Sequence, residues 1–257
     1  MNPPFDTPKP IHAVVDVAAG TIRIEAERRA DTWVGVNPLD PASDADATAA
    51  GLTEIDYQEG HLKLTTPRGW RSGAVEVKIQ LPEGSSLDVH LSTGELRTHG
   101  RLSETKIRST HGNIHLDQTA ALDLESGSGD VCVAVTEGPA TIKIASGDLC
   151  LGETSGNLHI TTTHGRVVVA RAHADAEITT KYGDIEVGEV ARGQITLTAS
   201  GNIQVGVKRG SAAHLSLAST YGTMHNHLQT WPPPEETVEI QATATFGNVQ
   251  VKTHTPT

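Results

Sequence analysis

The fold is decided by a short motif that recurs in the middle of the chain: GDVCV at 129–133, GDLCL at 147–151, GRVVV at 165–169 and GDIEV at 183–187. Each copy begins with glycine, usually continues with Asp or Asn, and then alternates aliphatic and variable residues. The glycines of these four copies, Gly129, Gly147, Gly165 and Gly183, recur at a constant interval of 18 positions. A constant period of this kind indicates a repeat architecture, in which each unit packs mainly against its neighbours.

Further copies lie on both sides of this stretch. They read GNIHL at 112–116, GNLHI at 156–160, GNIQV at 201–205 and GNVQV at 247–251, with degenerate copies at Gly94 and Gly222. Apart from the copy at 156–160, which lies midway between two others, the glycines from Gly94 to Gly201 are spaced by 17 or 18 positions. The last two spacings widen to 21 and 25 positions.

The alternation within each copy is typical of a β-strand with one buried face. A second alternating run precedes most of the glycines, as in TIKI at 141–144 and QITL at 194–197. Because no helical stretch separates these short strands, the economical arrangement is a coil whose turns lie about 4.8 Å apart. The sequence therefore predicts an all-β fold: a single parallel β-solenoid, or β-helix, with about 18 residues per rung. A β-sandwich, the alternative, would not need equal spacing.

The two ends of the chain depart from the repeat. Residues 1–10 hold four of the thirteen prolines and are expected to form a flexible arm. Residues 11–84 carry strand-like runs without the motif and are expected to be irregular N-terminal rungs or a cap, with one short helix between Pro41 and Gly51. The regular solenoid is predicted over 85–252, with Val238 to Val251 as its final rung and 253–257 as a tail. A Pro-rich loop at 226–236 should protrude from the coil, since prolines cannot join a central ladder.

Composition excludes several classes of function. The 257 residues carry a formal net charge of −11, without the basic stripe that nucleic-acid binding uses. No stretch approaches the eighteen apolar residues of a membrane-spanning helix, so we expect no membrane insertion. The first residues lack the basic and apolar regions of a signal peptide, and two cysteines suit a reducing compartment. We therefore expect a cytoplasmic protein.

The tandem Ser/Thr-x-Gly-Asp/Asn-aliphatic-x-aliphatic pattern resembles a bacterial family of β-strand-repeat proteins, a domain of unknown function labelled “putative adhesin”. The resemblance covers about residues 10–252 and includes DTWVGV at 31–36 and LPEG at 81–84. It implies a β-solenoid fold with no established catalytic residues. A looser likeness is to bactofilins, cytoskeletal β-helices of similar rung length that polymerise end to end.

Residues one period apart should lie side by side on adjacent rungs, so the repeat predicts columns of side chains. The residue between the two aliphatics should point outward, which makes Cys132 and Cys150 neighbours and puts His115 one rung away. These three could contribute to a Zn²⁺ site, but a fourth ligand is missing. Two ordinary surface thiols are the favoured interpretation, and we expect both to titrate under native conditions. We assign no metal ligand.

The position after glycine forms a second column, made up of Asn113, Asp130, Asp148, Arg166, Asp184 and Asn202. Paired carboxylates such as Asp130 and Asp148 could hold Ca²⁺ or resemble the acidic clusters of polysaccharide lyases. We favour a structural interpretation, because Asn and Asp tolerate the corner that glycine makes and recur with it. Arg166 would then relieve the repulsion between Asp148 and Asp184.

The position before glycine forms a third column. Three Thr-His-Gly sequences place His99, His111 and His164 before a glycine, and Tyr182, Tyr221 and Phe246 precede the glycine in three later copies. The three later aromatics could offer a platform on which a sugar stacks, although Ser200 interrupts the run. Packing at the corner is the favoured interpretation.

The sequence contains no recognisable catalytic motif. It lacks a Gly-x-Ser-x-Gly elbow, a phosphate loop and His-Glu-x-x-His, and its Gly127-Ser128-Gly129 lacks the third glycine of a dinucleotide site. We predict a non-enzymatic β-solenoid scaffold or interaction protein of the adhesin-like type, with no cofactor and no catalytic residue. Its partner would be another protein or a second copy, bound through a face or an end. The alternative is a carbohydrate-active β-helix enzyme or polysaccharide-binding module, with a cleft built by 206–236 and the N-terminal region.

Overall fold

The computed structural model describes residues 4–69, 73–228 and 236–254. The chain divides into two compact units, residues 1–130 and 131–257, called here the N-terminal and C-terminal units. Apart from one short helix, the regular elements of the described residues are β-strands. The predicted all-β class is therefore confirmed.

In its described residues, the N-terminal unit contains nine strands and the helix. They are β1 (Phe5–Asp6), β2 (His12–Glu27), β3 (Asp31–Pro38), α1 (Asp44–Gly51), β4 (Glu54–Gln58), β5 (His61–Thr65), β6 (Val75–Pro82), β7 (Ser86–His99), β8 (Arg101–His111) and β9 (Ile114–Ser128).

The long strand β2 is the centre of the N-terminal unit. It pairs in parallel with β7 along one side, and with β5 and then β6 along the other. Beyond them, β4 pairs antiparallel with β5, and β3 pairs antiparallel with β6. The region that lacks the glycine motif is therefore also the region with antiparallel pairs.

The sequence predicts a flexible arm over residues 1–10, but part of this stretch is bound to the sheet. Residues 1–3 lie outside the described residues, but Phe5 pairs with Thr32 of β3. Thr7 Oγ1 and Thr32 Oγ1, both buried, lie 2.8 Å apart. A hydrogen bond between buried hydroxyls holds this stretch against β3.

The helix predicted between Pro41 and Gly51 is confirmed as α1. Ser43 is its N-cap, and the Ser43 hydroxyl accepts a hydrogen bond from the Asp46 backbone N–H. The Asp46 carboxylate in turn accepts bonds from the backbone N–H groups of Asp40 and Ala74, both at 3.0 Å. Asp46 therefore ties the helix to the chain on both sides of it. In the part of the chain that the structure describes, no helix has the length and apolar character needed to cross a membrane.

The C-terminal unit contains thirteen strands in its described residues. They are β10 (Val131–Thr136), β11 (Ala140–Ser146), β12 (Leu149–Thr154), β13 (Leu158–His164), β14 (Val167–Ala172), β15 (Ala176–Tyr182), β16 (Ile185–Val190), β17 (Gly193–Ala199), β18 (Ile203–Val207), β19 (Ser211–Ser219), β20 (Met224–His227), β21 (Glu236–Ala244) and β22 (Val249–Thr253).

From β10 to β18 these strands form two parallel ladders, in which each strand pairs with the strand two places away. In one ladder Val131 pairs with Leu149, and Leu149 pairs with Val167. In the other, Ala140 pairs with Leu158. These partners are 18 positions apart, as the repeat predicts. The alternating aliphatic residues of β10 to β18, β21 and β22 point into a buried interior.

The order of strands at the end of the C-terminal unit differs from the order in the sequence. β21 pairs with β17 on one side and with β19 on the other. In the same way, β22 lies between β18 and β20. The prediction that Val238 to Val251 form the final rung is therefore wrong in space, because β19 and β20 lie outside them. A strand at the end of the chain gains partners on both edges by this exchange.

The predicted loop at 226–236 falls mainly on residues 229–235, which lie outside the described residues. At its margins, Asn226 and His227 belong to β20, and Glu236 begins β21.

Candidate interaction surfaces

The Asn and Asp residues after the corner glycines form a ladder of hydrogen bonds to the backbone. Asp148 Oδ1 accepts a bond from the Arg166 N–H at 2.8 Å, and Asp184 Oδ1 accepts one from the Asn202 N–H at 2.6 Å. In the N-terminal unit, Asn113 Oδ1 accepts a bond from the Asp130 N–H at 3.0 Å. Each side chain thus satisfies a backbone donor of the neighbouring strand turn. This geometry supports the structural interpretation of the column.

The same ladder follows the exchanged strand order. Asn202 Oδ1 accepts a bond from the Asn248 N–H at 3.0 Å, and Asn248 Oδ1 accepts one from the Thr223 N–H at 2.9 Å. The corner before β22 therefore lies between the corner before β18 and the corner before β20. Side-chain and backbone pairing agree on the exchange.

Arg166 interrupts the ladder. Its guanidinium group has only donors, so it cannot accept a hydrogen bond from the backbone N–H of the next corner. The Arg166 side chain forms an ion pair with Glu186. The sequence placed Arg166 between Asp148 and Asp184, but Glu186 is its partner in the structure. The long side chain reaches past the corner to the outward face of β16.

The glycine of each corner is required by a close approach of two turns. Gly165 has a φ of +137°, and a Cβ atom there would collide with the carbonyl oxygen of Gly147. Gly112 has a φ of +138° and stands in the same relation to Gly94. L-residues rarely adopt this backbone conformation, so both the conformation and the space call for glycine.

The two thiols lie where the repeat places them. Cys132 and Cys150 are register partners on β10 and β12, and neither forms a disulfide. Cys150 is exposed and Cys132 half-buried. His115 belongs to the N-terminal unit, where its Nδ1 lies 3.9 Å from Glu95 Oε1. Among the described residues, no group of three or more His, Cys, Asp or Glu side chains is placed to hold a metal ion.

The aromatic residues before the corner glycines form two exposed stacks. The rings of His164 and Tyr182 have centroids 4.9 Å apart and planes 17° apart. The rings of Tyr221 and Phe246 have centroids 5.3 Å apart and planes 8° apart. Tyr182 is 54% exposed, Phe246 70% and Tyr221 74%. The corner therefore presents large ring surfaces to solvent, which makes it a candidate binding surface.

The outer strands of the C-terminal unit form a second candidate surface. Within the described residues, β19 pairs only with β21, and β20 pairs only with β22. Residues 211–227 contain no Asp, Glu, Lys or Arg. Leu215 and Leu217, whose register partners Ile240 and Ala242 are fully buried, are only half-buried. We call β19 and β20 the open edge.

The outer strand β4 of the N-terminal unit has a different character. Among the described residues β4 pairs only with β5, and it carries Glu54 and Asp56. Charges on an edge strand oppose pairing with another chain, and most proteins protect their edges in this way. The open edge lacks that protection.

The shifted pKa values belong to surface contacts. The pKa is lowered in four carboxyl groups, chiefly by a hydrogen bond from the Gln80 amide to Glu25, from Arg29 to Asp31, from the Asp40 backbone to Asp46 and from Lys106 to Glu104. The pKa of Lys106 is raised by its bond to Glu104. Each shift favours the charged form. None of these four carboxyl groups has the raised pKa that a general acid needs.

The open edge, unlike the columns, was missed in the sequence. The alternation of β19 and β21 is alike, so periodicity alone does not tell which strand is outermost. The signal that could have found it is the widening of the last two glycine spacings to 21 and 25 positions. A wider spacing leaves enough chain for a strand to take a position out of sequence order.

Taken together, the paired ladders and the glycine corners define an all-β repeat protein whose recurring carboxylates serve the backbone. The chain belongs to the Toastrack DUF4097 family, whose model matches residues 12–255. The family resemblance stated from the sequence is thereby confirmed. A comparison with curated proteins found no match.

Several solved structures are similar to the chain. One, described as a “putative adhesin” from Bacteroides fragilis, is 11% identical, covers 97% of this chain and 95% of its own, and has a TM-score of 0.46. Another with that description, from Parabacteroides merdae, is 14% identical, covers 95% of this chain and 93% of its own, and has a TM-score of 0.44. A “putative lipid binding protein” from Parabacteroides distasonis is 14% identical, covers 97% and 96%, and has a TM-score of 0.36.

Proposed function

We propose that the protein is a non-enzymatic β-solenoid scaffold, with rungs that repeat every 18 positions or so, and that it binds a second copy of itself through the open edge. The observation that carries this proposal is an edge of parallel strands, β19 and β20, without a charged residue and with pairing on one side only in the described residues.

The chemistry of a strand edge specifies its partner. An edge presents backbone N–H and C=O groups in a row, and another strand satisfies them best. In a symmetric dimer, β19 of one copy would pair antiparallel with β19 of the other, because the same patch meets itself across a two-fold axis. The chain has a net charge of −11, and an uncharged edge lets two such chains approach without repulsion at the contact.

The half-buried leucines add an apolar contribution to this pairing. Leu215 and Leu217 continue the interior of the C-terminal unit but have no further strand turn over them among the described residues. A second copy would cover them, and the removal of apolar surface from water favours association.

The absence of catalysis is part of the same proposal. The recurring carboxylates Asp148 and Asp184 accept backbone hydrogen bonds, so the fold accounts for their repetition. The two cysteines without a disulfide fit a reducing, cytoplasmic location, which we include in the proposal.

Sedimentation velocity from micromolar to sub-millimolar concentration tests this function. We expect the wild-type mass to rise above 27.1 kDa as the concentration increases. Leu217→Lys should remain monomeric, because it buries a charge in the contact. The control Gln241→Lys adds the same charge on the exposed face of β21 and should associate like the wild type. A wild-type mass that stays at 27.1 kDa would contradict the proposal.

A further inference from the structure

The corner that contains Ser200 is one residue shorter than its two neighbours. Thr180 pairs with Ala199, and the Gly201 N–H then donates to the Gly183 carbonyl. Two residues, Lys181 and Tyr182, therefore lie opposite the single residue Ser200.

The neighbour on the other side shows the same mismatch. Ala199 pairs with Ala244, and the Ser200 carbonyl accepts bonds from both the Phe246 N–H at 2.9 Å and the Gly247 N–H at 3.2 Å. Thr245 and Phe246 thus also lie opposite Ser200 alone. Two residues against one is the pattern of a β-bulge, and here the longer corner lies on each side of the shorter one.

This shortening leaves a notch in the aromatic column. Tyr182 is stacked on His164 on the side away from Ser200, and Phe246 is stacked on Tyr221 on its side away from Ser200. Ser200, with its small side chain, lies half-buried between the exposed Tyr182 and Phe246. We call this gap the Ser200 notch.

The width of the notch matches one ring. Tyr182 and Phe246 lie on strand turns two spacings apart, or about 9.6 Å at the usual 4.8 Å per strand. A ring placed midway would be about 4.8 Å from each neighbour. The stacks already present have centroid distances of 4.9 Å and 5.3 Å, so the inserted ring would continue them.

We propose that the Ser200 notch binds one pyranose ring of an uncharged glycan, held between the faces of Tyr182 and Phe246. A pyranose presents C–H groups on its faces and hydroxyls around its rim. The aromatic faces suit the C–H groups. The half-buried Ser200 and the exposed Lys181 and Thr245 carry polar side chains that suit the hydroxyls. The Lys181 ammonium lies over the Tyr182 ring, 5.6 Å from its centre. A sugar that stacks on this ring takes the place of the ammonium, whose flexible side chain can then donate to a sugar oxygen at the rim. A purely aromatic ligand would leave these polar groups without partners.

Saturation-transfer difference NMR with four uncharged probes tests the site: cellohexaose, maltohexaose, laminarihexaose and mannohexaose. We expect transfer from protein aromatic protons to the ring protons of at least one probe. Ser200→Tyr fills the notch and should abolish the transfer. Phe246→Ala removes one stacking face and should weaken binding about tenfold.

Ser146→Tyr is the matched control. Ser146 is exposed and occupies the same column, as the register partner of His164, so the substitution extends the column away from the notch. Binding should persist in this variant. If Ser200→Tyr does not fold, as judged by thermal unfolding, Phe246→Ala decides the question in its place. No transfer to any of the four probes, or transfer and affinity that stay at the wild-type level in the folded variants, would overturn the proposal. Self-association at the open edge is measured separately by sedimentation, so either proposal can fail alone.

Discussion

Asn and Asp follow the corner glycines because their side chains accept a hydrogen bond that the turning backbone would otherwise direct to water. The repeat period predicted this column and its structural role, since a residue needed at every corner recurs with the corner. The partner of Arg166 could not be predicted in the same way. A long side chain chooses among several carboxylates within its reach, and the sequence does not tell that Glu186 is nearer than Asp184.

Asp184→Ala should lower the free energy of unfolding by about 1 kcal/mol, because the Asn202 N–H loses its acceptor. Asp184→Asn keeps a side-chain oxygen at the same place, so its free energy of unfolding should fall much less. Urea denaturation of the two variants measures the difference. Equal losses would show that charge at this corner matters and the hydrogen bond does not.

Asp46 makes the stability of the N-terminal unit sensitive to acid. The backbone N–H groups of Asp40 and Ala74 lower the pKa of its carboxyl below the ordinary 3.8. A group with a lowered pKa stabilises the fold above its unfolded pKa, and the contribution is lost as the pH falls through the folded value. Asp46→Asn removes this titration. We therefore expect the melting temperature of the wild type to fall more steeply than that of the variant as the pH is lowered from 5 to 3, a range set by the pKa of Asp. Parallel curves would contradict this account.

At the scale of elements, the inserted pair β21–β22 distinguishes the structure from a simple coil. The sequence predicts parallel strands whose partners are 18 positions apart, because hydrophobic alternation and glycine spacing are local properties. It does not predict which turn lies outermost, since β19 and β21 present the same alternation and each fits beside β17. The order is decided by tertiary pairing, and only the longer connection before β21 hints at it.

Ile240 and Leu215 test this order, because they are register partners on β21 and β19. Ile240 is fully buried between two strands, whereas Leu215 is half-buried on the open edge. Ile240→Ala should cost about 3 kcal/mol of unfolding free energy, within the range for large-to-small core substitutions. Leu215→Ala should cost about 1 kcal/mol, because part of its surface is exposed already. A larger loss for Leu215 than for Ile240, measured by urea denaturation, would mean that β19 is the inner strand.

At the scale of the whole molecule, each unit places a long strand or strand pair from near its end of the chain between two other strands. β2 lies between β7 and the pair β5–β6, and β21–β22 lie between β17–β18 and β19–β20. The outermost strands β19 and β20 come from inside the sequence, whereas β1, at the beginning of the chain, pairs only with β3 among the described residues. Composition and periodicity were sufficient to predict the all-β class and the family resemblance. The open edge and the Ser200 notch required coordinates, because both arise from small changes in connection length that leave the repeat pattern intact.

The proposed self-association and the strand order of the C-terminal unit both depend on the open edge. Hydrogen–deuterium exchange followed by mass spectrometry tests this edge directly on the intact wild-type protein. Exchange is measured at a concentration where sedimentation shows the monomer, so that association does not protect the edge. Amides of β21 and β22, which lie between two strands, should exchange slowly, and those of β19 and β20 should exchange much faster. We predict that peptides from 236–253 are better protected than peptides from 211–227. Better protection of 211–227 would place those strands inside and contradict the open edge.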